Sequence, residues 1–254
     1  MTFSVIIPCF NAEKTIVRAL DSVVNQSCRD FEIIIVNDGS NDNTESIIKK
    51  YFENKDIKYK YIYQDNKGPS SARNNAVKNS RAEYLAFLDS DDEWHLEKLQ
   101  IQYDEIIKSK IRFVSTKYTT LDFKINNKRV IKEYKFEDFL ISNRTSTPCT
   151  IVEKELFEEV GGFDESMSYS EDYNLWLKIS LIEPLYLIEQ ELVKLHKKPY
   201  GESGLSSNLW SMEKGEIKNY TYFYKNKYIG IVKYLFMISF SIVKYFRRLI
   251  YANF

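Results

Sequence analysis

Phe31-Glu32-Ile33-Ile34-Ile35-Val36-Asn37-Asp38-Gly39-Ser40 is an apolar run that ends in a polar turn. A run without polar alternation predicts a strand covered on both faces, over residues 31–36. Beyond the turn, Ile47, Ile48 and Tyr51 recur at helical spacing. The same unit is found on either side. Upstream, residues 3–7 read as a buried strand ending at Pro8, and Ile16, Ala19, Leu20, Val23 and Val24 follow at helical spacing. Downstream come a strand over residues 59–63, a helix opening at Ser70-Ser71 and a strand over residues 84–88. Strands alternating with helices predict βαβ units: an α/β fold with a mostly parallel sheet and flanking helices.

In such sheets ligands bind beyond the carboxyl ends of the strands. Three polar turns lie there: Pro8-Cys9-Phe10-Asn11, Asn37-Asp38-Gly39-Ser40 and Asp89-Ser90-Asp91-Asp92. The fold logic therefore gathers them in one crevice. The second half is less regular. A strand is expected over residues 113–120, a short helix over Phe136–Ile141, a polar loop over 143–148, a break at Gly161-Gly162 and a helix over 173–181.

The chain has 254 residues, 44% hydrophobic and 28% charged, which suffices for one large domain with an appendage and excludes a disordered chain. Cys9, Cys28 and Cys149 stand at no metal-ligand spacing and read as reduced thiols. No basic region followed by an apolar leader precedes the first strand, and a cytoplasmic protein is expected.

The acidic turn at Asp89–Asp92 concentrates carboxylates that repel one another and need a cation or exposure. Hard oxygen ligands suit Mg²⁺ or Mn²⁺, which also bridge diphosphates. The alternative is a helix N-terminus, where acids are favoured by the dipole. Asp-x-Asp phosphatases share such a turn, but they place it near the start of the domain, and here three strand–helix units precede it. Asp38 could accept from a base edge, or its turn could be an Asx-turn with Ser40 capping the next helix. Arg73, in Gly68-Pro69-Ser70-Ser71-Ala72-Arg73-Asn74, could reach a diphosphate as a bidentate fork or lie exposed. In Ser170-Glu171-Asp172-Tyr173 one acid could cap a helix while the other serves as general base.

Taken in order, these segments resemble glycosyltransferase family 2, the inverting family with the Rossmann-like GT-A fold. Val5-Ile6-Ile7-Pro8-Cys9-Phe10-Asn11, the 33–40 and 68–74 segments, Phe87-Leu88-Asp89-Ser90-Asp91-Asp92, Val160-Gly161-Gly162-Phe163-Asp164-Glu165 and Glu171-Asp172-Tyr173-Asn174-Leu175-Trp176 carry the likeness over about residues 1–210. The resemblance implies a metal-dependent hexosyl-type transferase. It would take a sugar from a nucleotide donor, UDP-linked, to a hydroxyl of a glycan or glycolipid acceptor. The setting would be bacterial-type surface polysaccharide, lipooligosaccharide or lipid-linked oligosaccharide synthesis. Pro8 and Asn11 would line the nucleotide pocket, Asp38 would contact the base and Arg73 would lie beside the diphosphate. Asp89 would face ribose or donor sugar, and Asp91 would hold Mn²⁺ or Mg²⁺. Gly161-Gly162-Phe163 would shape the donor-sugar side. Asp172 would be the base, with Glu171 beside it. Phe10 stands where members often have Tyr. Leu195-His196-Lys197-Lys198 replaces the Tyr-Arg-x-His common near the end of the core. His196 would then be a late metal or diphosphate contact, or Lys197 or Lys198 would serve the diphosphate. Two other functions compete: a sugar-nucleotide-binding protein without turnover, and a nucleotidyltransferase. The latter usually has a Gly-rich N-terminal loop, absent here.

The formal net charge is zero, but no acid follows Glu216, while Lys218, Lys225, Lys227, Lys233, Lys244, Arg247 and Arg248 do. This divides the chain into a transferase domain over 1–216 and a basic amphipathic helical tail over 217–254. On a helical wheel Lys233, Lys244, Arg247 and Arg248 share one stripe flanked by apolar residues. The cations interrupt any spanning segment, so an interfacial helix facing anionic lipid is expected at the inner face of the cell membrane. A helix docked on the domain or in an oligomer interface is the alternative. Nucleic acid is not expected as a partner, because the body is acidic and the tail is apolar.

Overall fold

The computed structural model describes residues 1–124, 129–197 and 208–252. The expected alternation holds: β1 (Phe3–Cys9), α1 (Ile16–Val24), β2 (Phe31–Asp38), α2 (Thr44–Phe52), β3 (Tyr59–Gln64), α3 (Pro69–Lys78) and β4 (Tyr84–Phe87). These strands pair in parallel in the order β3-β2-β1-β4. Their side chains are buried to either side of the sheet. Val5, Ile7, Ile33 and Ile35 pack in one core cluster with α1, and Ile6, Ile34 and Val36 pack in the other with α3. That two-sided burial is why the strands read as unbroken apolar runs.

The strand from residue 3 runs past its expected end at Pro8, through Cys9. Pro8 pairs with Val36 of β2, whereas β4's register stops with Phe87 opposite Ile6. A residue without an N–H disturbs a central strand least beyond its neighbour's end.

The sheet then turns mixed. β5 (Glu93–Trp94), α4 (Lys98–Ser109), β6 (Phe113–Thr119), β7 (Ile131–Tyr134), α5 (Phe136–Ile141), β8 (Ile151–Glu153) and α6 (Lys154–Glu159) come next. They are followed by α7 (Glu171–Ser180) and β9 (Leu185–Lys194). Beyond β4 the order is β8-β6-β9-β5, with β7 also on β9. β8 is antiparallel to both its neighbours, and only β6 and β9 run parallel. The acidic turn does not start a helix: β5 follows it and pairs Glu93 with Lys194, and α4 opens only at Lys98. The helix-start reading of Asp89–Asp92 is thereby overturned.

Two helices close the fold, α8 (Leu209–Lys225) and α9 (Ile231–Ala252), and the division expected at 216 falls inside α8. α8 lies against the residues that lead into α7. A Cβ on Gly215 would stand 2.5 Å from the Tyr169 carbonyl oxygen, so only glycine allows this approach. Two cations of α9, Lys244 and Arg248, are turned inward. Lys244 pairs with Glu216, and Arg248 reaches Glu216 at 2.7 Å and Glu213 at 3.4 Å. Lys233 lies 3.7 Å from Glu137 of α5. The expectation of a cationic stripe facing lipid is therefore corrected for Lys244 and Arg248, while Arg247 is exposed. The buried Glu213 and Glu216 of α8 take the charges of Lys244 and Arg248, because a buried carboxylate needs a partner more than a surface cation needs a membrane. The face turned outward is apolar: Val232, Leu235, Phe236, Val243, Phe246 and Ile250 are all more than half exposed. No described helix is long and apolar enough to cross a membrane.

Candidate active site

The turns at the ends of β1 and β2 are stitched to each other. Asn11, at φ 48°, donates its backbone N–H to Ser40 Oγ at 2.9 Å and accepts at Oδ1 from Asn41 N at 2.9 Å. Asn tolerates this left-handed backbone better than most residues. The Asx-turn here belongs to Asn37, whose Oδ1 accepts from Ser40 N at 3.0 Å. Ser40 does not cap α2; its hydroxyl holds Asn11. Gly39, at φ 76°, is required because a Cβ would stand 2.8 Å from Asn66 N.

Asp38 is buried and accepts three hydrogen bonds: from Gln64 Nε2 at 2.7 Å, Lys67 N at 2.9 Å and Gly68 N at 2.8 Å. It thereby fixes the loop that opens α3. An ionised carboxylate offers about four acceptor sites, so one remains for a base edge.

α3 in turn aims Arg73 across the crevice. Sequence alone favoured an exposed arginine at this position, but Arg73 is buried. Its Nη2 donates to Asp89 Oδ1 at 2.7 Å and its Nη1 faces Glu171 Oε1 at 3.4 Å, while Phe163 lies under the guanidinium at 5.3 Å. The Nε is buried without a protein partner. One cation thus joins the acidic turn to the acidic pair 82 residues later in the chain, counting from Asp89 to Glu171. Beside it Asn74 clasps the Gly161-Gly162-Phe163 turn, accepting from Phe163 N at 3.0 Å and donating to Phe163 O at 2.8 Å. Gly162, at φ 68°, has no room for a Cβ there.

Within the acidic turn the three aspartates differ. Asp89 faces Arg73. Asp91 presents its backbone oxygen to Arg18 Nη2 at 2.6 Å and its carboxylate to Lys197 Nζ at 2.7 Å. Asp92 is buried, and desolvation together with Asp89 and Asp91 raises its pKa above the usual carboxylate range, against a backbone hydrogen bond from His196 and the charge of Lys197. The pairing of β5 with β9 brings His196 here, and its Nε2 lies 3.0 Å from Glu93 Oε2. Lys198 lies outside the described residues. Among the described residues no three acids or histidines form a ready cation cage. The donor set nonetheless fits a hard divalent ion. Its carboxylate oxygens are the ligand type such an ion takes, and Asp89 and Asp91 are paired with Arg73 and Lys197.

Glu171 and Asp172 open α7, where carboxylates suit the helix dipole. Ser170 precedes them at φ 56°, with its hydroxyl on the Met212 carbonyl at 3.1 Å. Asp172 is half-buried; its Oδ1 accepts from Tyr173 N at 2.6 Å and its Oδ2 from Asn143 Nδ2 at 3.3 Å. Burial raises the pKa of both acids. For Glu171 the charge of Asp172 adds to the rise; Arg73 opposes it in both.

Arg73 thus joins Asp89 to Glu171, which stands next to Asp172. Asp91 and His196 lie along the same acidic turn and its β9 partner, and Asn11 and Asp38 stand on the adjoining turns of β1 and β2. Arg18, Asn74 and Asn143 were not expected. Arg18 lies on a helix face that reads as surface, and Asn143 lay in a segment legible only as a polar loop.

The glycosyl transferase family 2 profile matches residues 4–161. An uncharacterized glycosyltransferase of Rickettsia bellii (strain RML369-C) is 32% identical over 232 residues, which cover 89% of this chain and 33% of that relative. The chain therefore spans about a third of that protein's length. The UDP-Glc:alpha-D-GlcNAc-diphosphoundecaprenol beta-1,3-glucosyltransferase WfgD of Escherichia coli is 31% identical over 183 residues, covering 69% of this chain and 68% of the relative. The crystal structure of S. aureus TarS 1-349 in complex with UDP-GlcNAc matches with a TM-score of 0.72 at 23% identity, over 87% of this chain and 66% of that one.

Proposed function

Because the chain belongs to glycosyltransferase family 2 and is a glycosyltransferase, we propose that it moves a sugar from a UDP-linked donor to a hydroxyl of a glycan or lipid-linked acceptor, with inversion at the anomeric carbon. The product belongs to surface polysaccharide, lipooligosaccharide or lipid-linked oligosaccharide synthesis. The observation that carries this reading is Arg73, whose two ends meet Asp89 and Glu171. It ties the side that suits a diphosphate to the side that suits an acceptor hydroxyl. The substrates named for WfgD and the ligand of the TarS complex support the donor and acceptor classes.

In the displacement Asp172 takes the proton of the acceptor hydroxyl as that oxygen bonds to the anomeric carbon from the face opposite the leaving group. The bond from that carbon to the diphosphate breaks, and UDP departs with the electron pair. Pro8, Asn11 and Asp38 shape the nucleotide wall, Asp89 faces ribose or sugar, and Arg73 and His196 flank the diphosphate. Glu171 beside Asp172 and the Gly161-Gly162-Phe163 turn held by Asn74 set the pocket for the transferred sugar. Mn²⁺ or Mg²⁺ held by Asp91 would neutralise charge building on the leaving group.

A panel of nucleotide sugars with Mn²⁺, read by thermal shift and UDP release, tests the donor. At 100 times Kd a ligand stabilises the native state by about 2.7 kcal/mol. A shift with UDP-sugars is expected; a shift only with sugars on another nucleotide would overturn the UDP assignment.

The enzyme works at the cytoplasmic face of the membrane, with α9, within residues 217–254, as the contact. The exposed apolar row from Val232 to Ile250 supports this. Since Lys244 and Arg248 are paired inside the protein, contact depends mainly on apolar burial. The full chain is expected to float with phosphatidylcholine vesicles at high as well as low salt, and a Val232→Ser, Phe236→Ser, Val243→Ser variant is expected to stay behind. Flotation only with anionic lipid, lost in salt, would contradict it.

A further inference from the structure

α5 is a helix of six residues, too short to hold itself in water. Its last carbonyls have no partner within the helix and must be met from outside. Three other helices meet them. Tyr173 of α7 donates to the Phe139 carbonyl oxygen. The Tyr220 hydroxyl of α8 lies 3.0 Å from the Leu140 carbonyl oxygen and 2.7 Å from Glu216 Oε1, and its one proton serves one of them at a time. Lys244 of α9 donates to the Ile141 carbonyl oxygen at 3.1 Å while paired with Glu216. A lysine at this position also suits the negative end of the helix.

Two residues past the end of α5 stands Asn143, whose amide reaches Asp172. The segment that leads into Asp172 is held by α8, where Asn219 Nδ2 donates to the Ser170 carbonyl oxygen at 3.1 Å and Gly215 abuts Tyr169. Asp172 thus meets the α5 exit loop through Asn143 while α8 anchors the backbone just before it, and Lys244 of α9 fixes the end of α5 from which that loop departs.

We propose that α9 braces the acceptor side of the site: Lys244 fixes the end of α5 so that Asn143 holds the carboxylate of Asp172 in its working rotamer. Lys244 and Asn143 are positioning residues. This rests on Asp172 being the base. Lys244 therefore serves the protein's own chemistry, and the outward apolar row serves its surroundings.

The test compares Lys244→Met, Lys244→Arg, Asn143→Ala and, as a control on the exposed face of α2, Lys50→Met in the full chain. UDP with Mn²⁺ is the binding probe, hydrolysis of UDP-glucose and UDP-N-acetylglucosamine is the turnover probe, and amide hydrogen exchange reports residues 138–146. Lys244→Met and Asn143→Ala are expected to lower kcat about tenfold with UDP affinity unchanged, as a displaced group rather than a lost contact would. Exchange should quicken over 138–146 in Lys244→Met, and Lys244→Arg should restore both. Lys50→Met should match the unaltered enzyme. Unchanged exchange in Lys244→Met overturns the brace whatever the role of Asp172. Quicker exchange at unaltered kcat overturns the positioning role and leaves the base to its own test. Should Lys244→Met fail to fold, Asn143→Ala, in an exposed loop, decides alone: full kcat overturns the proposal.

Discussion

Asp172→Asn is expected to lower kcat by about 10²–10⁴-fold, the usual worth of a general base, while UDP binds as before. The substitution keeps the shape of the side chain and removes only its ability to take a proton. Arg73 keeps both its partners, Asp89 and Glu171, so the donor side stays in place. The pH profile carries the same assignment. Burial raises the Asp172 pKa, as does the charge of Asp89, whereas Arg73, Tyr173 N and Asn143 lower it, and the net is upward. A base with a raised pKa is protonated earlier as pH falls, so the acid limb of kcat lies above the ordinary carboxylate range. A rate near that of the unaltered enzyme in Asp172→Asn would refute the assignment. The loss appearing instead in Glu171→Gln would move the role to its neighbour.

Asp91→Asn is expected to weaken Mn²⁺ binding about a hundredfold or more and to lower kcat with it, since disturbing even the partners of a metal ligand costs about 10–100-fold. The turn should keep its shape, because Arg18 grips the backbone oxygen of Asp91 and not its carboxylate. Lys197 loses its partner in this variant. Mn²⁺ titration followed by electron paramagnetic resonance reads the affinity, and adding metal back to chelated enzyme reads the rate. Full activity of the unaltered enzyme in chelator would end the claim that a metal takes part.

The first half of the fold was legible because its strands carry their own signature. Residues 31–36 and 3–7 are apolar on both faces, and that pattern has few solutions besides a central parallel strand. The second half was harder to read for a physical reason. β5 is two residues long and β8 three, too short to show any period, and their pairing is set by distant partners on β9, β4 and β6. The missed β5 is also why the acidic turn could be read as the start of a helix. Arg73 looked like surface because sequence does not show that Asp89 and Glu171 come to meet it. The tail shows the same limit. Helical spacing revealed that Lys244 and Arg248 share a face, but only the buried acids Glu213 and Glu216 determine that this face points inward.

The outward row of α9 has one more consequence. At pH 7 the chain has no formal net charge, and its isoelectric point is about 6.8. Copies in water therefore lack the mutual repulsion that keeps most proteins dispersed. An exposed apolar ridge on such a molecule is a point of self-adhesion. Whatever covers Val232, Phe236 and Val243 in the cell thus sets the colloidal behaviour of the whole protein, apart from any part it plays in bringing enzyme and acceptor together.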